Sequence, residues 1–550
     1  MSFYMECAKI LKDYFLISTF KRNIVKVCLS ALLVLALLSQ VLDLPEIICS
    51  FLALPALILL PILSGNALIC IVERVWIRSS KSTFPNIGLI PNLIFEWFLG
   101  FYFIYAFLFV FLLHTQNIIF AIAIMVIMCW IGAWRLDRRL FVHSSTLMTR
   151  KSFLLLLTLM IIGLVPISII KLYGTFPLPS SRAYTVGGHL YRFVYNIAEH
   201  GIPDSPYDVV HPPSLNILYG LVSRMFSIDP LSLLWSVPFL LLVILSVGMF
   251  LFAYEVSGRK ELALLASVVG VWILSGTNAA DWPVAPEATY VIYALNPLIF
   301  YIFLRLSKMK QIGPRHIVFS FILSSVFVLA LKYAISVTTD YTATSPYIIF
   351  YQSLILSYLV ALMLTLKMNS YYALSFVIMI TLVSMHTSYV GPITSLVATL
   401  LFITHKSSTN NSRNSLNVAL QFSLIAFSSL YIGLQLLNVM EIPVYNAISS
   451  LLGLGGPSYH TFDWKTRQLI IGSSEFALSL FFLGMLYLVF SGNKEDLAVA
   501  TTTLLVLLIY FLPEGLSYRV IDVLAPFMAY AIASIISNIA NLITCKDKWR

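Results

Sequence analysis

The run SFLLLLTLMIIGLVPISII, Ser152 to Ile170, passes directly into KLYGTFPLPSSRAYTVGGHLYRFVYNIAEHGIPDSPYDVVHPPSLNILYGLVSRMFSIDP, Lys171 to Pro230. The first stretch is apolar over the length of a helix, and the second is a polar segment of about sixty residues that ends where the next apolar run begins. The polar segment carries Arg182, His189, Arg192, Glu199, His200, Asp204, Asp208, His211 and Asp229. Only 11% of the chain is charged, and bilayer hydrocarbon strongly penalises unpaired charge. So many titratable groups in one segment therefore require a wet location between two membrane spans.

The rest of the composition agrees. Hydrophobic residues make up 59% of the chain and the mean hydropathy is +0.91. Apolar runs of roughly 16 to 25 residues recur along it, most long enough to cross about 30 Å of hydrocarbon as a helix. The expected fold is all-α: a polytopic bundle of about sixteen spans, with about thirteen as the lower bound. The 29 Tyr, 38 Phe and 9 Trp suit membrane interfaces and helix packing. Six scattered cysteines give neither a disulfide framework nor a metal signature. The formal charge of +10 does not indicate nucleic acid, because the basic residues collect in short loops between spans, where they read as topology signals.

Those loops fall on one side. Lys9, Lys12, Lys21, Arg22 and Lys26 precede the first span, Val27 to Leu42. The second, Ser50 to Ile71, leads to Arg74, Arg78 and Lys81. Spans from Leu93 to Leu113 and Ile118 to Trp134 are joined by neutral HTQN and followed by Arg135, Arg138, Arg139, Arg150 and Lys151. Downstream, spans at Leu231 to Glu255, Leu262 to Gly276 and Thr289 to Leu304 bracket the basic turn SGRKE and end at RLSKMKQIGPRH. Four more spans lead to HKSSTNNSRNS, a further one runs from Leu416 to Met440, and three after Ser474 lead to CKDKWR. The seven basic segments agree on a cell-membrane protein with both termini cytoplasmic and residues 171–230 extracytoplasmic.

Within that loop, Leu190, Phe193, Val194 and Ile197 form one apolar helical face, with Gly201 and Pro203 as a stop. Leu215 to Phe226 repeats the pattern, so two short amphipathic helices at the membrane interface are expected. Arg182, Arg192 and His189 are suited to phosphate, and Glu199, Asp204 or Asp208 to activating a hydroxyl or holding a divalent ion. Solvated loop residues and local caps are the plainer account of each. On the same side lie Asp281 and Glu287 in GTNAADWPVAPEA, His460 and Arg467 in YHTFDWKTRQ, and Arg519 in PEGLSYRV. These segments are candidates to line the same cavity as the long loop, with His211 also among the substrate-binding candidates.

From about Lys151 to Asn541 the order of features resembles the GT-C class of membrane glycosyltransferases, which use polyprenyl-phosphate-linked sugars. The matching pieces are the helix followed by a long outside loop, YRFVYNIAEHGIPDSPYDVVHPPSLNILYGLVSRMF, FAYEVSGRKELALLASVV and YRVIDVLAPFMAYAI. The resemblance implies a membrane domain at 151–550; the four spans at 1–150 lie outside it and are expected to form an N-terminal membrane module. The resemblance also implies an acidic residue just after the first helix of the shared module, often working with Mg or Mn. Here that stretch reads SSRAYTVGGHLYRF and contains no carboxylate. Either His189, or a later acid such as Asp204 or Asp208, takes the role, or the chemistry has been lost or changed.

The expected function is transfer of a sugar from a polyprenyl-phosphate donor to an acceptor at the extracytoplasmic face. His189, Asp204, Asp208 and Asp281 are the catalytic candidates, and membrane lipid is the partner. Transport of a lipid or polyprenyl-linked substrate, and a non-catalytic scaffold of the same fold, remain the alternatives. No nucleotide-binding or metalloprotease motif is present.

Overall fold

Long apolar runs bounded by Pro, Gly and Asp become helices where the periodicity places them. The computed structural model describes residues 23–42, 44–75, 88–108, 111–112, 115, 117–142, 150–173, 190–201, 214–274, 288–308, 475–491, 493–511 and 517–546. Almost all of these are helical and none lies in a strand. In chain order the helices are α1 (Ile24–Val41), α2 (Glu46–Val75), α3 (Leu89–Phe103), α4 (Ile118–Val142), α5 (Arg150–Tyr173), α6 (Tyr191–His200) and α7 (Ser214–Phe226). They continue as α8 (Pro230–Ser257), α9 (Lys260–Val268), α10 (Ala288–Lys308), α11 (Glu475–Phe490), α12 (Lys494–Phe511) and α13 (Ser517–Lys546).

Six of the described helices are long and apolar enough to cross a membrane: α1, α2, α4, α5, α8 and α13. Helices α3, α10 and α11 contain shorter apolar stretches. Two expected spans are not uniform helices. After Phe103 the chain continues as a π-helical turn, Ile104–Leu108, and after Val268 as another, Val269–Leu274. The expected spans between Ile317 and Met440 lie outside the described residues.

The helix ends follow local chemistry. Gly201 closes α6 in the left-handed conformation, φ 70°, its N–H bonding to the Ile197 carbonyl at 3.0 Å. Asp229 opens α8 by accepting the Leu231 N–H at 2.6 Å, with Pro230 in the first helical position. Gly258, φ 67°, ends α8 and turns the chain into α9.

The described helices belong to two compact units. The first contains α1 to α4, the first residues of α5, α6, α7 and the start of α8. Its hub is α2, which packs most extensively on α3 and α4 and also meets α1 and α7. Backbones approach closely at these crossings because small residues stand there: a Cβ on Gly100 would overlap the Pro61 carbonyl, one on Gly65 the Glu96 carbonyl, and one on Gly132 the Leu63 carbonyl. Apolar helices in lipid gain little from hydrophobic burial against each other, so close packing of this kind is a main source of their association.

In the same unit α6 and α7 pack together. Val194, Ile197 and Ala198 of α6 are buried, and Gly220 of α7 leaves room for the Ile197 side chain. The apolar face of α6 is thus turned into the protein, and Arg192, Tyr195, Glu199 and His200 are left exposed. Helix α7 is almost wholly buried and touches α1, α2 and the π turn after α3. Ser39 Oγ donates to the Phe226 carbonyl at 2.8 Å and Gln40 Nε2 to the Met225 carbonyl at 2.9 Å.

The second unit holds the rest of α5 and α8 together with α9 to α13. Here α13 is the hub, contacting α9, α10, α11 and α12. Its Phe527 and Tyr530 form an aromatic cluster with Phe252 and Phe300, the Phe300 and Phe527 rings lying 4.8 Å apart. Tyr530 also donates to the buried Asp496 carboxylate at 2.6 Å, which accepts from Ser491 at 2.9 Å as well.

Replacing Gly100 with Ala is expected to lower stability by about 1–3 kcal/mol, because backbone of α2 must move away. Gly258→Ala meets open space and is expected to cost only the left-handed backbone, about 1–2 kcal/mol. Gly100→Leu extends the overlap and should therefore fall well below Gly258→Leu. Thermal unfolding of the four purified variants in one detergent checks the order.

Candidate functional site

Of the residues that the sequence nominates, Arg192 and Glu199 are described with their side chains, and both are exposed on α6. They stand seven residues apart, two helical turns, and so on one face. Glu199 pairs with Arg224 of α7 at 3.6 Å. Arg519 lies in the first turn of α13. Arg182, His189, Asp204, Asp208, His211, Asp281, Glu287, His460 and Arg467 lie outside the described residues.

Around α6 the described residues add partners that the sequence did not single out. The Tyr191 phenol stands 3.5 Å from Asp229 Oδ2, a long hydrogen bond. Burial, and next the Asp229 carboxylate, raise the Tyr191 phenol above its ordinary value, so it stays neutral and able to donate. Asp229 is therefore shared between a helix start and a phenol. Nearby, Ser232 Oγ donates to Glu46 Oε2 at 3.0 Å, and Phe51 and Trp235 meet edge to face with ring centres 6.1 Å apart. Together with the Ser39 and Gln40 bonds, these contacts tie the loop helices and the start of α8 to the α1–α2 corner. Arg192, Tyr195, Glu199 and His200 form an exposed polar face on that docked platform, and such a face can meet a charged headgroup or a polar acceptor.

A second polar constellation lies deeper in the same unit. Glu96 of α3 is 1% exposed. Asn66 Nδ2 of α2 donates to its Oε2 at 2.6 Å, and Asn66 Oδ1 accepts from Arg135 Nη1 of α4 at 2.6 Å. Arg135 Nη2 reaches both oxygens of Glu73 at 2.9 and 3.0 Å, and Nη1 stands 3.8 Å from Glu96 Oε1. One guanidinium thus joins three helices through two carboxylates and an amide. At the adjoining positions of the same two helices, Arg74 lies over the Trp134 ring at 5.5 Å.

Asp137, also on α4, caps a different helix. Its Oδ1 accepts the Val25 N–H at 2.8 Å and its Oδ2 the Lys26 N–H at 3.3 Å, satisfying backbone donors at the start of α1 that Asn23 does not cap. Arg135 is expected only as a topology signal, and Glu73, Glu96 and Asp137 are not among the candidate residues. Their signal was present: carboxylates inside apolar runs, as in LIFEWFL, call for a buried partner.

Among the described residues no group of three or more His, Cys, Asp or Glu is placed to hold a metal. No family model, curated protein or solved structure matches the chain.

Arg135→Ala leaves Glu96 buried without its guanidinium and is expected to cost about 3–5 kcal/mol. Adding Glu96→Ala removes the stranded charge, so the double variant should be less destabilised than the sum of the single ones. A double-mutant cycle on unfolding in detergent measures this coupling, expected at about 0.5–3 kcal/mol.

Proposed function

We propose that the chain is a glycosyltransferase of GT-C-like build in the cell membrane, moving a sugar from a polyprenyl-phosphate donor to an acceptor at the extracytoplasmic face. The observation that carries this reading is the docked platform of α6 and α7. It keeps Arg192 and Glu199 exposed on one helix face, inside the loop that joins two helices long enough to span a membrane. The resemblance over residues 151–541 supplies the reaction class. In the proposed layout about sixteen spans cross the membrane, residues 1–150 form an N-terminal module, and both termini are cytoplasmic.

The pairing of helix ends within the first unit supports the orientation. Asp137 reaches the N-terminus of α1, and Arg135 the last turns of α2. Gln40 and Ser39, at the other end of α1, reach α7. The alternation of basic loops assigns the first set to the cytoplasmic side and the second to the outside, so no pair joins opposite sides.

In this reaction the acceptor hydroxyl attacks the anomeric carbon, its proton passes to a base, and the bond to the polyprenyl phosphate breaks. His189, Asp204, Asp208 and Asp281 are the proposed bases or orienting groups. Arg182, Arg192, His211, His460, Arg467 and Arg519 are suited to the anionic phosphate, and Glu199 and Glu287 to acceptor hydroxyls. If Mg or Mn takes part, carboxylates in the segments outside the described residues are its proposed holders, and it would neutralise the leaving phosphate.

A second reading, transport of a lipid-linked substrate, draws on the Glu96–Asn66–Arg135–Glu73 chain. Ionisable groups within apolar helices often mark a transport or proton pathway. The deciding assay incubates the purified full-length protein with radiolabelled polyprenyl-phosphate sugars and candidate acceptors, with and without chelator. The glycosyltransferase reading expects label in the acceptor and a loss of about tenfold or more in Asp204→Asn or His189→Ala. No transfer from any donor would reject it, and flux of intact donor across proteoliposomes would favour the second reading.

A further inference from the structure

The second unit carries a cluster of cations at one end that neither functional reading uses. Glu255, in the last turn of α8, accepts Arg305 Nη1 at 3.3 Å and lies 3.5 Å from Lys308 Nζ, both from the end of α10. Lys308 Nζ also bonds the Glu255 carbonyl. Four residues after Glu255, Arg259 reaches across to α13, where its Nη2 donates to Ser537 Oγ at 3.2 Å. With Lys260 and Glu261 included, four cations face two carboxylates, so the cluster keeps two positive charges in excess.

Helix dipoles account for part of this arrangement, since Arg305 and Lys308 stand at a helix C-terminus. They do not account for Arg259. Its partner is a neutral hydroxyl, and a guanidinium has five N–H donors in a planar fork that matches phosphate. Ser537 is six residues short of Ile543, where the apolar stretch of α13 ends. That places the contact about 9 Å along the helix from the end of the apolar stretch, so the Arg259 guanidinium stands beside apolar helix surface. The surroundings are amphipathic: Arg305 and Lys308 are 47% and 39% exposed, while Tyr254 of α8 and Ile539, Leu542 and Ile543 of α13 are exposed apolar neighbours along the same helices.

We propose that this end of the second unit binds an anionic phospholipid, its phosphate held by Arg259, Arg305 and Lys308 and its acyl chains against Tyr254, Ile539 and Leu542. Cations beside exposed apolar surface suit a phosphate that carries acyl chains, whereas free inorganic phosphate gains nothing from that surface. The site is independent of the proposed transfer reaction, because it uses none of the residues assigned to it.

The test measures lipid retention by native mass spectrometry on the purified full-length protein offered phosphatidylglycerol and phosphatidylcholine with identical acyl chains. The wild type is expected to retain phosphatidylglycerol at least about fivefold better, and Arg259→Ala and Lys308→Ala each to reduce that preference about fivefold. Millimolar inorganic phosphate should not displace the lipid. Equal retention of the two lipids, an unchanged preference in both variants, or displacement by inorganic phosphate would overturn the proposal. If a variant does not fold, the wild-type comparison of headgroups decides alone.

Discussion

A guanidinium only 16% exposed among apolar helices sets the terms for the first unit. Arg135 cannot lose its charge, and removing it from water is costly unless every donor is directed at an acceptor. Acceptors come from α2 and α3: Glu73 takes Nη2 in two-point contact, and Asn66 relays Nη1 to Glu96. These acceptors are useful only if the helices approach closely, and Gly65, Gly100 and Gly132 allow that approach. Polar satisfaction and small-residue packing therefore act at the same crossings. Van der Waals packing holds the helices together, and the ion network restricts them to one register.

The same logic extends from the helix middles to their ends. Asp137 satisfies N–H groups that α1 leaves open, and Asp229 does so for α8. At the opposite end of α1, Ser39 and Gln40 satisfy the last carbonyls of α7. In a membrane such end groups have few other partners within the apolar layer. Side chain-to-backbone bonds fix α7 to α1, and α6 rests on α7 through Val194, Ile197 and the Glu199–Arg224 pair, which explains how a short amphipathic helix presents a fixed polar face. In the second unit Asp496 and Glu255 act similarly, joining helices through Tyr530 and through Arg305 and Lys308.

Much of the helical layout was legible in the sequence. The spacing of Phe193, Val194 and Ile197 and the stop at Gly201 give α6 almost to the residue, because a left-handed glycine after an apolar face has few other uses. The expected span Ser50 to Ile71 extends to Glu46–Val75 because Glu46 and Arg74 suit the two ends of the helix dipole. The π turns after Phe103 and Val268 were not legible, since the same apolar residues serve either helical form. Nor was the use of Asp137, whose partner lies 112 positions away. For the candidate site, Arg192 and Glu199 are legible as separate candidates, one for phosphate and one for a hydroxyl. The Glu199–Arg224 pair was not legible, because it arises from the packing of α6 on α7, nor was the Tyr191–Asp229 contact, whose partners lie 38 positions apart. Of the other nominated residues, Arg519 lies in the first turn of α13 and the rest lie outside the described residues.

In the proposed topology α6 faces the extracytoplasmic side and the α8–α9 turn faces the cytoplasm. Single cysteines at Tyr195 and Lys260, both exposed positions, in a background with the native cysteines replaced by alanine, report this directly in intact cells. A membrane-impermeant maleimide is expected to label the Tyr195→Cys protein from outside, and the Lys260→Cys protein only after the membrane is opened. Labelling of Lys260→Cys from outside, or protection of Tyr195→Cys, would contradict the orientation and with it the proposed site.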